Sequence, residues 1–388
     1  MSALAQDRAR LEVLEAKMDA LRHQLDTLEQ QGQTIRDRLS QYTYPVLTLP
    51  PELVTEIFTR YIPAYPAHPP LVGTGSPTYL LGICRQWRDI ALRSPSLWRA
   101  IKVTWSKETD ARSTDIVASW LKRSRSSLLS LSFDTLKLDT VVDDLEAAAT
   151  TILSLFVAQR DRWQYIDIAI LPIHLPLLGG ATPALVDAVL FTVNEGNPPP
   201  TITFSNALAI RSAYLWNIVP SPSSHGWLAQ LTSLSLISVP FDEIIRALRL
   251  ATNLIHCKLS VPLEEILVYA HIHLPRLQTL LLDFDDDHEE CLRAFTLPAL
   301  RRLELSGFDI SLSVHEPLRA LITRSACRLE RLRLCPDNYG GDVVVRACVD
   351  ALPDVTITSG RCSFYPTNWK MEEYWDPNCV DSDTDSDY

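Results

Sequence analysis

The feature that most constrains this 388-residue chain is a short apolar alternation that returns at a nearly fixed distance. Leu234-Ser-Leu236, Cys257-Lys-Leu259, Leu280-Leu-Leu282, Leu303-Glu-Leu305, Leu332-Arg-Leu334 and Val355-Thr-Ile357 follow one another at intervals of 23, 23, 23, 29 and 23 residues. Apolar residues two apart mark the buried face of a strand. Four copies have a leucine three residues earlier, at Leu231, Leu277, Leu300 and Leu329, and three are introduced by Leu-Pro, at 274–275, 297–298 and 352–353. So short a strand cannot bury its own apolar face, so even spacing predicts units that stack on their neighbours. Looser copies extend upstream at Ile101-Lys-Val103, Leu131-Ser-Phe133, Ile166-Asp-Ile168 and Ile202-Thr-Phe204. Their wider spacing leaves room for helices, predicted over 111–122, 145–160 and 182–192, with another over 242–251.

This L-x-x-L-x-L pattern resembles leucine-rich repeats. The resemblance implies an irregular leucine-rich-repeat-like α/β solenoid over residues 105–360, with one strand per coil. It departs from the family at the asparagine that normally follows each strand. Val239, Pro262, Asp285, Phe308, Asp337 and Gly360 stand there instead, so the loops are expected to lack their usual hydrogen-bond ladder. A generic α/β domain with evenly spaced strands is the alternative. In a solenoid the residues between core positions face the concave side. They are His256, Lys258, Thr279, Leu281, Asp283, Arg302, Glu304, Arg331 and Arg333, a mixed-charge strip suited to reading a target protein or to lying solvated.

Residues 46–103 form a second kind of unit. Leu49-Pro50-Pro51-Glu52 opens a helix, because proline suits a first turn whose N–H groups have no partner. Leu53, Ile57 and Tyr61 then share a face, with Val54 and Phe58 beside them. A second helix is predicted over 79–92, where Leu80, Ile83, Trp87 and Ile90 recur at helical spacing, followed by Ser94-Pro95-Ser96-Leu97-Trp98. The order Leu49-Pro50-x-Glu52, Ile57-Phe58, Ile83-Cys84-Arg85-x-Trp87-Arg88 and Leu97-Trp98 resembles the F-box. The resemblance implies a three-helix F-box over 43–104 that docks a Skp-family adaptor and through it a cullin. Leu49, Pro50, Leu53, Ile57 and Phe58 would meet the adaptor, and Ile83, Trp87, Leu97 and Trp98 would be shared between module core and interface. The departure is a proline-rich insertion over 62–77, expected as a surface loop. An ordinary helical mini-domain is the alternative.

Residues 4–39 carry a 3.5-residue repeat. Leu4, Leu11, Met18, Leu25 and Leu39 form one row, and Leu14, Leu21, Leu28 and Ile35 the other. So narrow a seam predicts a coiled-coil helix over 1–42, weakened near Gly32. It pairs with a second copy as a homodimer or docks on the chain's own body.

No enzyme constellation stands beside these units. G-x-S-x-G, G-x-x-x-x-G-K-[ST] and G-x-G-x-x-G are all absent. His271 and His273 lack a second ligand pair at metal-site spacing. The acidic run 283–290 imitates a calcium loop, but His288 stands where the turn glycine belongs and Ala294 where a bidentate glutamate belongs. The chain is therefore expected to be no enzyme, with no cofactor and no metal.

Charge and composition narrow the setting. The formal net charge is −11, against a nucleic-acid binder. Residues 371–388 hold seven acidic residues and no Lys or Arg, so the acidity belongs largely to an acidic tail, expected to be disordered. Within it Ser382 precedes Asp385 and Thr384 precedes Asp387 by three residues, a spacing suited to acidophilic kinases. Phe364, Tyr365, Trp369, Tyr374 and Trp375 are expected to cap the last repeat, and 361–388 is read as cap plus tail. The apolar run over 168–186 is broken by prolines and glycines, so no membrane partner is expected. Eight scattered cysteines without C-x-x-C, and no secretory signal, point to the cytoplasm and/or nucleus. Taken with the two resemblances, this implies a substrate-recognition adaptor of an SCF-type ubiquitin ligase with an unknown protein substrate. A non-ligase interaction scaffold is the alternative.

Overall fold

The computed structural model describes residues 3–41, 48–104, 111–135, 143–193, 198–223, 225–261, 271–284, 288–307, 314–335, 341–359 and 375. The chain is mixed α/β: a long N-terminal helix, then a large parallel sheet with helices. Helix α1 (Ala3–Gln41) runs through Gly32 without a break. Leu11, Leu14, Met18, Leu21, Leu25, Leu28, Ile35 and Leu39 are all exposed, so the chain's own body does not cover the seam.

The helical module comes next, as α2 (Pro51–Tyr61), α3 (Pro77–Leu80), α4 (Arg85–Arg93) and a 3₁₀ turn at Pro95–Trp98. The single helix predicted over 79–92 is thus two. Cys84 is extended (φ −157°, ψ 168°), and its Sγ accepts from the Trp87 N–H at 3.4 Å, which starts α4 afresh. Ser76 caps α3 in the same way, accepting from the Thr78 N–H at 3.1 Å. Val54, Phe58, Leu80, Ala91, Leu97 and Trp98 fill the module's interior. There the Phe58 and Trp87 rings meet edge to face at 5.0 Å, and Trp98 Nε1 donates to the Ala91 carbonyl at 2.9 Å.

Eleven strands form one sheet. They are β1 (Ala100–Thr104), β2 (Leu129–Asp134), β3 (Trp163–Ala169), β4 (Asp187–Phe191), β5 (Ser212–Trp216), β6 (Ser233–Ile237), β7 (His256–Val261), β8 (Thr279–Phe284), β9 (Arg302–Ser306), β10 (Arg331–Cys335) and β11 (Thr356–Ser359). Every pairing in it is parallel and joins neighbours in this order, so the sheet grows in one direction along the chain. Register builds two apolar ladders. One runs Ile101, Leu131, Ile166, Ala188, Ala213, Leu234, Cys257, Leu280, Leu303, Leu332, Ile357. The other runs Val103, Phe133, Ile168, Leu190, Leu215, Leu236, Leu259, Leu282, Leu305, Leu334. Both belong to the main core, with residues from α5 (Ala111–Arg123), α6 (Asp143–Val157), α7 (Phe241–Leu250), α8 (His288–Ala294), α9 (His315–Ser325) and α10 (Gly341–Ala351). Parallel neighbours need such crossovers, and helices supply most of them.

Three sequence expectations are corrected here. The helix predicted over 182–192 is strand β4, and β5 went unpredicted, because alanine (Ala188, Ala213) takes the first ladder position in both. Ile202 and Phe204 lie outside the large sheet, in two-residue strands paired with Pro220 and Gly180. The last copy is shifted: Ile357, not Val355, lies opposite Leu332.

An asparagine stands one residue before the expected ladder position after β5, which Ile218 takes. Asn217, directly after β5, is 3 % exposed at φ +53°, a left-handed conformation that asparagine tolerates better than most residues. Its N–H donates to the Ile237 carbonyl at 2.8 Å, and its Nδ2 donates backward to Val193 at 2.8 Å. Asn217→Ala is expected to cost about 2 kcal/mol in urea unfolding, from a lost buried hydrogen bond and a strained backbone. The post-strand positions Pro262, Asp285, Phe308, Asp337 and Gly360 lie outside the described residues, as does the acidic tail.

The insertion over 62–77 is not a free surface loop. It fastens the helical module to β1–β3. Tyr65 OH donates to Gln164 Oε1 at 2.8 Å, its ring meets Tyr165 edge to face at 5.6 Å, and the Arg99 guanidinium lies 3.8 Å from the ring centre. Burial pushes the Tyr65 phenol up to about 12, against the pull of Arg99. Ser130 Oγ donates to the Pro66 carbonyl at 2.8 Å and lies 2.9 Å from His68 Nε2. The single hydroxyl proton is given to Pro66, so His68 must donate from Nε2, as the neutral Nε2–H tautomer. Burial, and then Lys102, lower His68 to about 4. A histidine whose folded pKa lies below its unfolded value near 6.5 stabilises the fold above that value. That contribution drains away as pH falls from about 6.5 to about 4. Unfolding in urea is expected to show a loss of at most about 3 kcal/mol across this window. His68→Gln should flatten the profile, and an unchanged profile would remove His68 as its source.

Candidate functional site

Two surfaces carry the predicted interaction residues, and they lie on different elements. The first is on the helical module. Both rows of α2 are apolar, and packing against α4 and the 3₁₀ turn chooses which row is buried. Val54 and Phe58 turn inward at 0 % exposure, while Leu53 and Ile57, one turn apart, stay 53 % and 43 % exposed. Ile83 is 49 % exposed on the α3–α4 turn, and Tyr79 on α3 is also exposed, stacked on Tyr61 at 6.4 Å. Pro50 is exposed at the helix N-cap, and Leu49 packs partly against the core. Leu53, Ile57 and Ile83 are thus apolar side chains left partly in water on one small module. Phe58, Leu97 and Trp98 are corrected: fully buried, they hold the module together and do not reach its surface. Trp87 is half-buried behind Phe58.

The second surface is the sheet face turned away from the ladders. One row runs Ser235, Lys258, Leu281, Glu304, Arg333, in register across β6–β10. The next runs Ser233, His256, Thr279, Arg302, Arg331. The expectation of an open strip fails. Lys258, Thr279, Leu281, Glu304 and Arg333 are all buried, and only His256, Asp283, Arg302 and Arg331 keep partial exposure. One cover is identified: Trp375, itself 4 % exposed, packs on Leu281 in an apolar pair separate from the main core. Trp375 therefore sits on β8, three strands short of the sheet's last edge, where a cap would have been. Phe364, Tyr365, Trp369 and Tyr374 lie outside the described residues.

Two polar contacts within the strip are defined. Arg333 Nε approaches Glu304 Oε2 at 3.8 Å, and Asp283 accepts from Ser306 Oγ at 2.9 Å. Arg302 and Arg331 lie directly opposite each other in the register. Burial, and then Arg331, hold the Arg302 guanidinium below its ordinary value.

The missed strands add residues that the sequence analysis did not single out. On β4 and β5 the Phe191 ring lies 5.2 Å from Tyr214 and 5.7 Å from Trp216, an aromatic group on the same face as the strip. The available signal was Ala-x-Leu at 188–190 and 213–215, which the leucine template passes over.

Among the described residues no three His, Cys, Asp or Glu gather as a metal site. Cys257 and Cys291 are buried thiols pushed far above their ordinary value. An open hollow of about 380 Å³ between α5 and α6 is lined by Ala118, Leu121, Lys122, Arg125, Leu155, Ala158, Gln159 and Arg162, a set with no carboxylate, histidine, hydroxyl or thiol. Among the described residues no helix is long and apolar enough to cross a membrane. No protein-family model matches the chain, and no curated protein matches its sequence.

Proposed function

We propose that the chain is a substrate-recognition adaptor of an SCF-type ubiquitin ligase, acting in the cytoplasm and/or nucleus and performing no chemistry itself. In this reading residues 43–104 are an F-box that docks a Skp-family adaptor, and through it a cullin. Residues 105–360 are an irregular leucine-rich-repeat-like solenoid whose polar sheet face receives a target protein. The observation that carries the reading is the exposure of Ile57 and Ile83, which match the F-box pattern, and of Leu53 one turn before Ile57. In this reading the docked adaptor covers these side chains. Neighbour-only parallel pairing along eleven strands supports the solenoid. The open heptad seam of α1 would pair two copies of the chain, presenting two target faces. Light scattering is expected to give a dimer, and a monomer at high concentration removes that part. The adaptor reading is tested by co-purification with the Skp-family adaptor, expected for the wild type and lost in Leu53→Asp with Ile57→Asp.

A further inference from the structure

We propose that α1 pairs with α1 of a second copy as an antiparallel two-helix coiled coil, in the register that sets Leu11 against the partner's Leu28, Leu14 against the partner's Leu25 and Met18 against the partner's Leu21. This deepens the pairing of two copies in the proposed function and rests on it. The seam is open, with these six side chains between 51 % and 65 % exposed. Rows so narrow and apolar bury themselves only against another helix, and the residues flanking the seam set its direction and register.

The charges beside the seam alternate. Arg8, Glu15, Arg22, Glu29 and Arg36 recur every seventh residue along one side, and Arg10, Lys17, Gln24 and Gln31 along the other. Turning one helix end for end brings each side against its own kind. In the stated register Arg8 lies beside the partner's Glu29 and Glu15 beside the partner's Arg22, and the two-fold axis repeats both pairs. On the other side Arg10 lies beside the partner's Gln31 and Lys17 beside the partner's Gln24, so no like charges meet. Sliding by one heptad reverses this. One direction sets Arg8 beside the partner's Arg22 and Glu15 beside its own copy. The other sets Arg8 beside the partner's Arg36 and Glu15 beside the partner's Glu29. A parallel pair would join Arg10 to the partner's Glu15 but press Lys17 against the partner's Arg22. Arg22 already pairs with Asp19 on its own helix at 3.0 Å, but both side chains are at least 70 % exposed, so that pair is weak and leaves Arg22 able to turn to the partner's Glu15.

The two irregular positions of the seam agree with this register. Gly32 stands in one apolar row and Asp7 in the other. A Cβ at Gly32 would meet nothing nearer than the Arg36 side chain at 3.8 Å, so the helix itself does not demand glycine there. The antiparallel register sets Gly32 against the partner's Asp7, where the absent side chain leaves room to hydrate the carboxylate. A parallel pair would instead set Asp7 against its own copy inside the seam. The two helical modules then leave from opposite ends of a rod about 60 Å long, so the dimer holds them apart and not side by side.

Arg22→Glu separates the two directions by the sign of its effect, read as the dimer dissociation constant of the full-length chain in analytical ultracentrifugation. Antiparallel pairing puts the new carboxylate beside the partner's Glu15, twice over, and the dimer should weaken about tenfold. Parallel pairing would exchange the clash with Lys17 for an attraction and tighten it. Adding Glu15→Arg should restore the wild-type value. Oxidative trapping gives a second readout. Full-length Leu11→Cys with Leu28→Cys should form a covalent dimer, while either single variant, like the wild type with its own thiols, should not. A dimer unchanged or tightened by Arg22→Glu, or trapped by Leu11→Cys alone, overturns the antiparallel register and leaves the homodimer standing. A monomeric wild type overturns both, so the two failures are distinguishable.

Discussion

Replacing Trp98 by alanine is expected to cost about 3–5 kcal/mol, enough to bring a domain of ordinary stability close to unfolding. Trp98 has no exposure, and its indole is held on three sides. Its Nε1 donates to the Ala91 carbonyl at 2.9 Å, Trp120 of α5 meets it edge to face at 5.2 Å, and the Arg123 guanidinium lies 4.5 Å from its centre. The residue therefore belongs to the helical module and to the first helix of the sheet region at once. Removing it opens a cavity at their junction that neither side can collapse into. Trp98→Phe keeps most of the apolar contact. It loses one hydrogen bond, to a carbonyl that also accepts from the Ser94 N–H, so its cost should be nearer 1 kcal/mol. Urea unfolding of the two variants checks the difference. A loss below about 1 kcal/mol for the alanine variant would mean that the junction is not packed as described.

The second large effect is on binding, with stability nearly unchanged. Leu53→Asp with Ile57→Asp is expected to weaken capture of a Skp-family adaptor by about 100-fold or more. Burying two unpartnered carboxylates in an apolar contact costs several kcal/mol. Both residues are about half exposed, so the folded chain should change by no more than about 1 kcal/mol. Phe58→Ala is the informative contrast. It should lower stability by about 3–5 kcal/mol, because Phe58 is fully buried, and it should affect binding only through unfolding. If the double aspartate variant retains full binding while folded, the adaptor does not use this face, and the functional reading falls with it.

The repeat between β6 and β10 was legible because leucines fill nine of the ten ladder positions, with Cys257 in the tenth, at intervals of 23, 23, 23 and 29 residues. It failed at β4 and β5 for a physical reason. Where the ladder narrows to Ala188 and Ala213, a strand keeps its register while losing the two-leucine signature. A similar ambiguity governed α2. Leu53, Val54, Ile57 and Phe58 are all apolar, and only the packing of α4 and the 3₁₀ turn decides that Val54 and Phe58 go inside. The sequence therefore marked α2 as apolar and could not separate its exposed row from its buried one. The Trp375–Leu281 contact was illegible altogether, since it joins residues 94 positions apart with no periodic relation. Helix α1 was the easiest element, because its heptad rows need no tertiary partner within the chain to be recognised.

The Tyr65–His68 clamp has a bearing on how the two halves can be inherited or engineered. Its grips on Ser130, Gln164 and Tyr165 come from β2 and β3, not from the module that carries the loop. A helical module transplanted onto a different recognition body would leave those grips behind and swing on the peptide linkage at Arg99 and Ala100. What this chain passes on as a unit is thus the module together with its first three strands. A chimera cut anywhere inside residues 51–169 should lose the fixed bearing between the helical module and the sheet.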